Sequence, residues 1–204
     1  MNEVSIIGCG ETASQWDGKG ISIGVNDCWR FGKPTDYLVV VNTKKQFNQD
    51  RLDWILRSQP SILFTHSSEW LEHFPEVTFL DSDDRVLEQR HKSNPNVNFI
   101  RFRPWRRAMN HHRNPKGNPD NAVNPNCVYF SNTSPFVAIS LAAYMGAKLI
   151  KLYGVDFNNH SVYHPGNGNE FTHEIEAYKH LFGQLRNRGI TITTTKESYL
   201  NYIL

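Results

Sequence analysis

Four strand-length aliphatic runs constrain this chain most, because each one stops on a glycine or an asparagine: VSII on Gly8, ISIGV on Asn26, YLVVV on Asn42 and LIKLY on Gly154. Short apolar runs bounded by turn residues suit the buried strands of a parallel sheet, where both faces are covered. The stretch NTSPFVAISLAAYMGAKLIKLYGVDF, residues 132–157, sets a helix start, an apolar helix, a glycine stop and a strand in sequence, then ends on Gly154, Val155 and Asp156. In an open parallel sheet, ligands are held outside the carboxyl ends of the strands. The residues that stop these runs are therefore the first candidates for a site.

The rest of the chain follows the same alternation. Helices are predicted over Lys44 to Ser58 and Ser82 to Gln89, with a strand between them over Ser61 to Thr65. A last amphipathic helix is predicted from Glu170 to Arg188, with Ile175, Tyr178, Leu181, Phe182 and Leu185 on one side, and a last strand over Ile190 to Thr194. Strands alternating with helices predict an α/β fold, doubly wound, with a mainly parallel sheet and helices on both faces. Residues 91–128 break the pattern: their prolines and asparagines predict an irregular, lid-like excursion. At the helix that opens on Thr133, Ser134 and Pro135, the hydroxyls can cap free N–H groups and the proline sits where a missing donor costs nothing.

Length and composition narrow the class. A chain of 204 residues with 39% hydrophobic and 21% charged residues is expected to be one soluble domain, 1–204, with a continuous core. No apolar run approaches the roughly 18 residues of a membrane span, and MNEVSIIGCG carries no charged leader, so a cytoplasmic protein without a membrane span is expected. Cys9, Cys28 and Cys127 have neither disulfide-framework nor zinc-site spacing and are expected to be reduced. The formal charge of +2 conceals a basic stretch, Arg101, Arg103, Arg106, Arg107, Arg113 and Lys116, with Trp105 among them. That stretch suits phosphate groups, with single-stranded nucleic acid as the lesser alternative, and it equally fits a solvated loop.

Several residues could carry chemistry. Gly8 and Gly10 can let backbone amides approach a phosphate, but the third glycine of a dinucleotide fingerprint is missing, so a tight turn stands beside that reading. Asn26 and Asn42 can hydrogen-bond a base, a ribose or a phosphate without adding charge, or can simply shape their turns. Thr133 and Ser134 can cap a helix and hold an anion in the same place. Among nine histidines, His160 and His164 have a spacing that metals use, yet they fall in loop-like sequence, while His173 adjoins Glu174 and could act in proton transfer.

VSIIGCGET, ISIGVNDCWRF, DYLVVVNTKKQF and NTSPFVAISLAAYMGAKLIKLYGVDFNNHSVY resemble, in that order, the bacterial sialyltransferases of glycosyltransferase family 42. They are also similar to a neighbouring family of pterin pyrophosphokinase-like and uncharacterised proteins. The resemblance covers roughly half of the chain. It implies a cytidine nucleotide-sugar donor, no metal, and inversion at the sugar. It places Gly8 and Gly10 near the phosphate, Asn26, Asn42 and Ser134 on the donor, Gly154 and Asp156 beside the base, and Tyr163 on the departing phosphate. The family's GxGPSL pattern is Gly8-Cys9-Gly10-Glu11-Thr12-Ala13 in this chain, a second phosphate tyrosine is Asn158, and the catalytic histidine aligns near Asn169, leaving His164 or His173.

These readings combine into a nucleotide-dependent transferase, foremost a glycosyltransferase that uses no cofactor. The expected site is Gly8, Gly10, Asn26, Asn42, Thr133, Ser134, Gly154, Asp156, Arg103 and Arg107, with His173, His164 and Tyr163 as catalytic groups. The alternatives are a metal-dependent pyrophosphokinase working through Asp27 and Asp156, and a non-catalytic nucleotide or nucleic-acid binding module. The acceptor is unspecified, and a homo-oligomer is left open.

Overall fold

The computed structural model describes residues 2–81, 98–104, 126–157 and 172–204, the side chains of Thr172 and His173 apart. Among the described residues nine strands form one sheet: β1 (Glu3–Ile7), β2 (Ile21–Val25), β3 (Tyr37–Val39), β4 (Ile62–Thr65), β5 (Val77–Asp81), β6 (Asn98–Pro104), β7 (Val128–Phe130), β8 (Leu149–Tyr153) and β9 (Thr191–Thr194). Their order is β7-β6-β5-β4-β3-β2-β1-β8-β9, and every neighbouring pair is parallel. The chain winds outward from β1 to β7, then returns to add β8 and β9 on the other side of β1. The reversal between β1 and β8 is a topological switch point, and the fold is the expected doubly wound α/β architecture.

Alternate side chains of the strands feed two cores. Val4, Ile6, Ile23, Val25, Val39, Ile150 and Leu152 pack with the helices α2 (Ser134–Tyr144) and α3 (Thr172–Asn187). Ile7, Leu38, Val40 and Leu63 face the other way, towards Trp16, Trp70 and Ile55 of α1 (Gln49–Arg57). This period-2 division explains why the runs look apolar throughout. Helix α2 is buried from Phe136 to Ala143, as its uninterrupted apolar sequence requires.

Some boundaries differ from expectation. The helix predicted from Lys44 begins only at Gln49, because Thr43 and Gln46 form a capping box around a separate 3-10 turn and the Asn48 side chain then accepts from Arg51 N at 3.0 Å. The last helix covers Thr172–Asn187, and β3 stops at Val39. The excursion expected over 91–128 contains β6, in which Phe102 is buried between exposed Arg101 and Arg103. Alternation of that kind marks a strand, and the arginines hid it. The expected helix Ser82 to Gln89 lies outside the described residues.

Candidate functional site

At the switch point the two strand ends are pressed together. Gly8 N donates to Tyr153 O at 2.7 Å and Gly10 N to Gly154 O at 2.8 Å. A Cβ on Gly8 would overlap the Gly154 carbonyl, and one on Gly10 would overlap the Asp156 carboxylate. Gly154 has φ +67°, and a Cβ there would meet the Ala13 Cβ at 2.8 Å. Thr12 closes the junction: its hydroxyl donates to Asp156 and accepts from Gly154 N at 2.8 Å, while its backbone N–H reaches Asp156 Oδ2 at 3.1 Å. These glycines are small because two backbones and a carboxylate fill the space beside them.

Beside this junction lies a cavity of about 340 Å³, lined among others by Asn26, Asn42, Thr133, Ser134, Gly154 and Asp156. Ser134 joins the two amides: Asn26 Nδ2 donates to Ser134 Oγ at 3.4 Å, and Ser134 Oγ donates to Asn42 Oδ1 at 3.2 Å. Asn26 has φ +51°, a conformation asparagine tolerates better than most side chains. Its Oδ1 is buried with no hydrogen-bond partner among the described residues, so the amide keeps an unused acceptor there.

The helix edge of the cavity is anchored from behind. Thr133 is the N-cap of α2, but its hydroxyl is shared with Tyr178 Oη at 2.7 Å and caps no backbone N–H, contrary to the capping role expected of it. Burial pushes the Tyr178 hydroxyl well above its ordinary pKa, which keeps this contact neutral. Glu174 of α3, 2% exposed, accepts from the Ser131 hydroxyl, from Asn132 N at 3.2 Å and from Asn132 Nδ2 at 2.6 Å. The loop that delivers Thr133 and Ser134 is thereby tied to α3.

A charged pair lies on the other side. Asp27, fully buried, accepts from Arg51 Nε at 2.9 Å and Nη2 at 2.7 Å, both on Oδ1. Arg51 lines the cavity with Gln46 and Phe47, and its guanidinium lies 4.9 Å from the centre of the Phe47 ring. Cys9 also lines the cavity; burial first, and then the Asp27 charge, push its thiol well above the ordinary range, so it is no thiolate nucleophile.

The sequence-derived candidates thus divide. Asn26, Asn42, Thr133, Ser134, Gly154 and Asp156 share one cavity, whereas Gly8 and Gly10 pack against the β8 turn behind it. Arg103 is exposed on β6, at the far side of the sheet from β1. His164, Tyr163 and Arg107 lie outside the described residues, as does the side chain of His173. Asp27 and Asp156, the carboxylates considered for a metal, are engaged by Arg51 and Thr12. Arg51 was not anticipated, and Glu174, expected only as a neighbour of His173, ties down the loop at Ser131 and Asn132. The visible hint for Arg51 is its first-turn position in α1, where a positive charge opposes the helix dipole. A second cavity of about 370 Å³ continues along the same sheet edge, lined by Val41, His66, Leu80, Asp81, Phe102, Phe130 and Ser131.

No protein-family model and no curated protein sequence matches the chain. Solved structures do. The sialyltransferase CstII from Campylobacter jejuni, in complex with the substrate analogue CMP-3FNeuAc, aligns with a TM-score of 0.51 at 14% identity, covering 100% of this chain and 84% of that one. The monofunctional alpha-2,3-sialyltransferase Cst-I from Campylobacter jejuni aligns with a TM-score of 0.53 at 15% identity, covering 100% and 79%. CST-II in complex with a trisaccharide acceptor and CMP gives 0.51 at 12% identity, covering 100% and 85%. At such identities the likeness establishes a sialyltransferase-like fold.

Proposed function

We propose that this protein is a nucleotide-dependent transferase, and specifically a glycosyltransferase that takes a nucleotide-sugar donor of the CMP type. The observation that carries the reading is the Asn26–Ser134–Asn42 hydrogen-bonded set, which three separate segments deliver to one cavity beside the β1/β8 reversal. Neutral amides and a hydroxyl can grip a base, a ribose and phosphate oxygens without charge of their own, and the unused Asn26 acceptor suits a ligand N–H or O–H. The cavity volume of about 340 Å³ falls within the range of small-molecule sites. The fold neighbour CstII was solved with CMP-3FNeuAc and, in a separate structure, with CMP and a trisaccharide acceptor, which fits a donor of that type.

In the proposed reaction the acceptor hydroxyl oxygen forms a bond to the sugar's anomeric carbon as the bond from that carbon to the phosphate oxygen breaks. The electron pair leaves on the phosphate, and the hydroxyl proton passes to a base. His173 or His164 is proposed as that base and Tyr163 as a donor to the leaving phosphate, on the strength of the family resemblance. No metal is invoked, because donors from the protein can offset the leaving charge.

The test is a thermal-shift panel of CMP, UMP, GDP, ATP and their sugar conjugates, with and without EDTA. At a ligand concentration of about 100 Kd, the bound form gains about 2.7 kcal/mol, which is about 5 to 10 °C for a domain of this size. A CMP-type ligand is expected to raise Tm regardless of EDTA. A rise that needs a divalent metal would instead support pyrophosphoryl transfer, and a flat panel would leave the cavity without a nucleotide role. With a donor identified, unchanged transfer in both His173→Ala and His164→Ala would remove the base assignment.

A further inference from the structure

We infer that Arg51, held in place by Asp27, is the residue that takes the phosphate of the bound nucleotide, an assignment that rests on the nucleotide reading above. Folding alone gives little reason for the pair. Arg51 stands in the first turn of α1, where the helix dipole disfavours a cation. Its partner Asp27 is fully buried, and the Arg51 side chain is only 16% exposed. Removing two charges from water costs more than an apolar pair of the same shape would. Among the described residues the arrangement also leaves Asp27 Oδ2 buried without a hydrogen-bond partner, because both guanidinium contacts converge on Oδ1.

The cavity supplies the reason. Among its described lining residues the charged ones are Arg51 and Asp156, and Asp156 is occupied by Thr12 at the switch junction. The remaining polar groups are neutral amides and hydroxyls, which suit a base and a sugar better than a phosphate. A guanidinium presents a planar fork that matches phosphate oxygens. Asp27 fixes two of its nitrogens, and its central carbon lies over the Phe47 ring, also in the lining, 4.9 Å from the ring centre. A side chain ordered before the ligand arrives spares the complex the entropy of ordering it. Asp27 is then a positioning residue, acting through Arg51.

The test compares a nucleotide with its own nucleoside. CMP and cytidine are titrated by calorimetry into the full chain, into Arg51→Gln, into Arg51→Lys and into the double variant Asp27→Asn/Arg51→Gln, which keeps the buried site neutral if the single change unfolds it. Loss of a charge-assisted contact is expected to weaken CMP about 10- to 100-fold in Arg51→Gln and in the double variant, while cytidine changes less than about threefold. Arg51→Lys restores part of the CMP affinity, and the single variant Asp27→Asn, titrated alongside, weakens CMP about three- to tenfold with cytidine unmoved. The salt dependence of CMP binding flattens in the variants that lose the cation. A parallel fall of both ligands, or no change in either, overturns the assignment, since a structural role would not separate phosphate from nucleoside. If the unaltered protein binds CMP and the Arg51 variants bind it equally well, only this inference fails. If the unaltered protein binds neither CMP nor any other nucleoside monophosphate, the nucleotide reading fails and takes this assignment with it.

Discussion

The two ends of the β1–β3 edge use similar residues in opposite ways. At the β1/β8 junction, Gly8, Gly10, Gly154 and Asp156 are consumed by each other and by Thr12, with carbonyls, amides and carboxylate paired across the turn. At the β2 and β3 ends, Asn26, Asn42 and Ser134 meet around open space and leave an acceptor unused. A strand-end polar residue therefore has two fates: it can lock two turns together, or it can be presented to a ligand. Stability and ligand binding should separate along that line.

The largest expected effect lies at the lock. Gly8→Ala places a methyl into the Gly154 carbonyl, where both sides are backbone and cannot swing away. The strain should cost about 3 kcal/mol or more, lowering Tm by about 6 to 12 °C in thermal denaturation. An unchanged Tm would mean the two turns are not in contact. Next comes Thr12→Val, which strips Asp156 of its hydroxyl donor and Gly154 N of its acceptor. Chemical denaturation should show a loss of about 2 kcal/mol, and Thr12→Ser should recover most of it.

On the open side the balance reverses. Asn42→Ala should weaken nucleotide binding by about fivefold while stability stays within about 1 kcal/mol of the parent, as read by calorimetry beside a melt. Equal losses in binding and stability would erase the distinction between the regions. The smallest effect concerns two buried thiols, Cys9 in the cavity wall and Cys28 beyond it. Burial raises Cys9 well above its ordinary range and Cys28 to about 12. The folded state thus keeps protons that the unfolded chain sheds from about pH 8.5, so stability is intact below that pH and falls as pH rises from there towards 12. Between pH 8 and 9, each thiol should cost about 0.7 kcal/mol, and Cys9→Ala should flatten the decline by about that amount.

The sequence carried the parts of this architecture that repeat. Aliphatic runs stopping on Gly8, Asn26, Asn42 and Gly154 identified the strand edge, and Pro135 with Gly146 bracketed α2. It could not tell the lock from the rim, because a glycine that admits a neighbouring backbone and a glycine that admits a phosphate look alike in one dimension. Thr133 was misread for a similar reason: its hydroxyl suits a cap, but Tyr178, 45 positions away, claims it. Asp27 and Arg51 are 24 residues apart, and only the crossing from β2 to α1 brings them together. The arginines of β6 drew attention by their density, whereas Arg51, which lines the cavity, sits in a short amphipathic helix with acidic neighbours on both sides in sequence.

The central claim is that the rim cavity, and not its neighbour along the sheet, holds the nucleotide. The most direct measurement is a crystal structure of the protein soaked with CMP. The account predicts electron density for CMP between Asn26, Asn42 and Ser134, with the phosphate within hydrogen-bonding distance of Arg51. CMP seated instead among His66, Phe102 and Phe130, or on the outer surface, would contradict it.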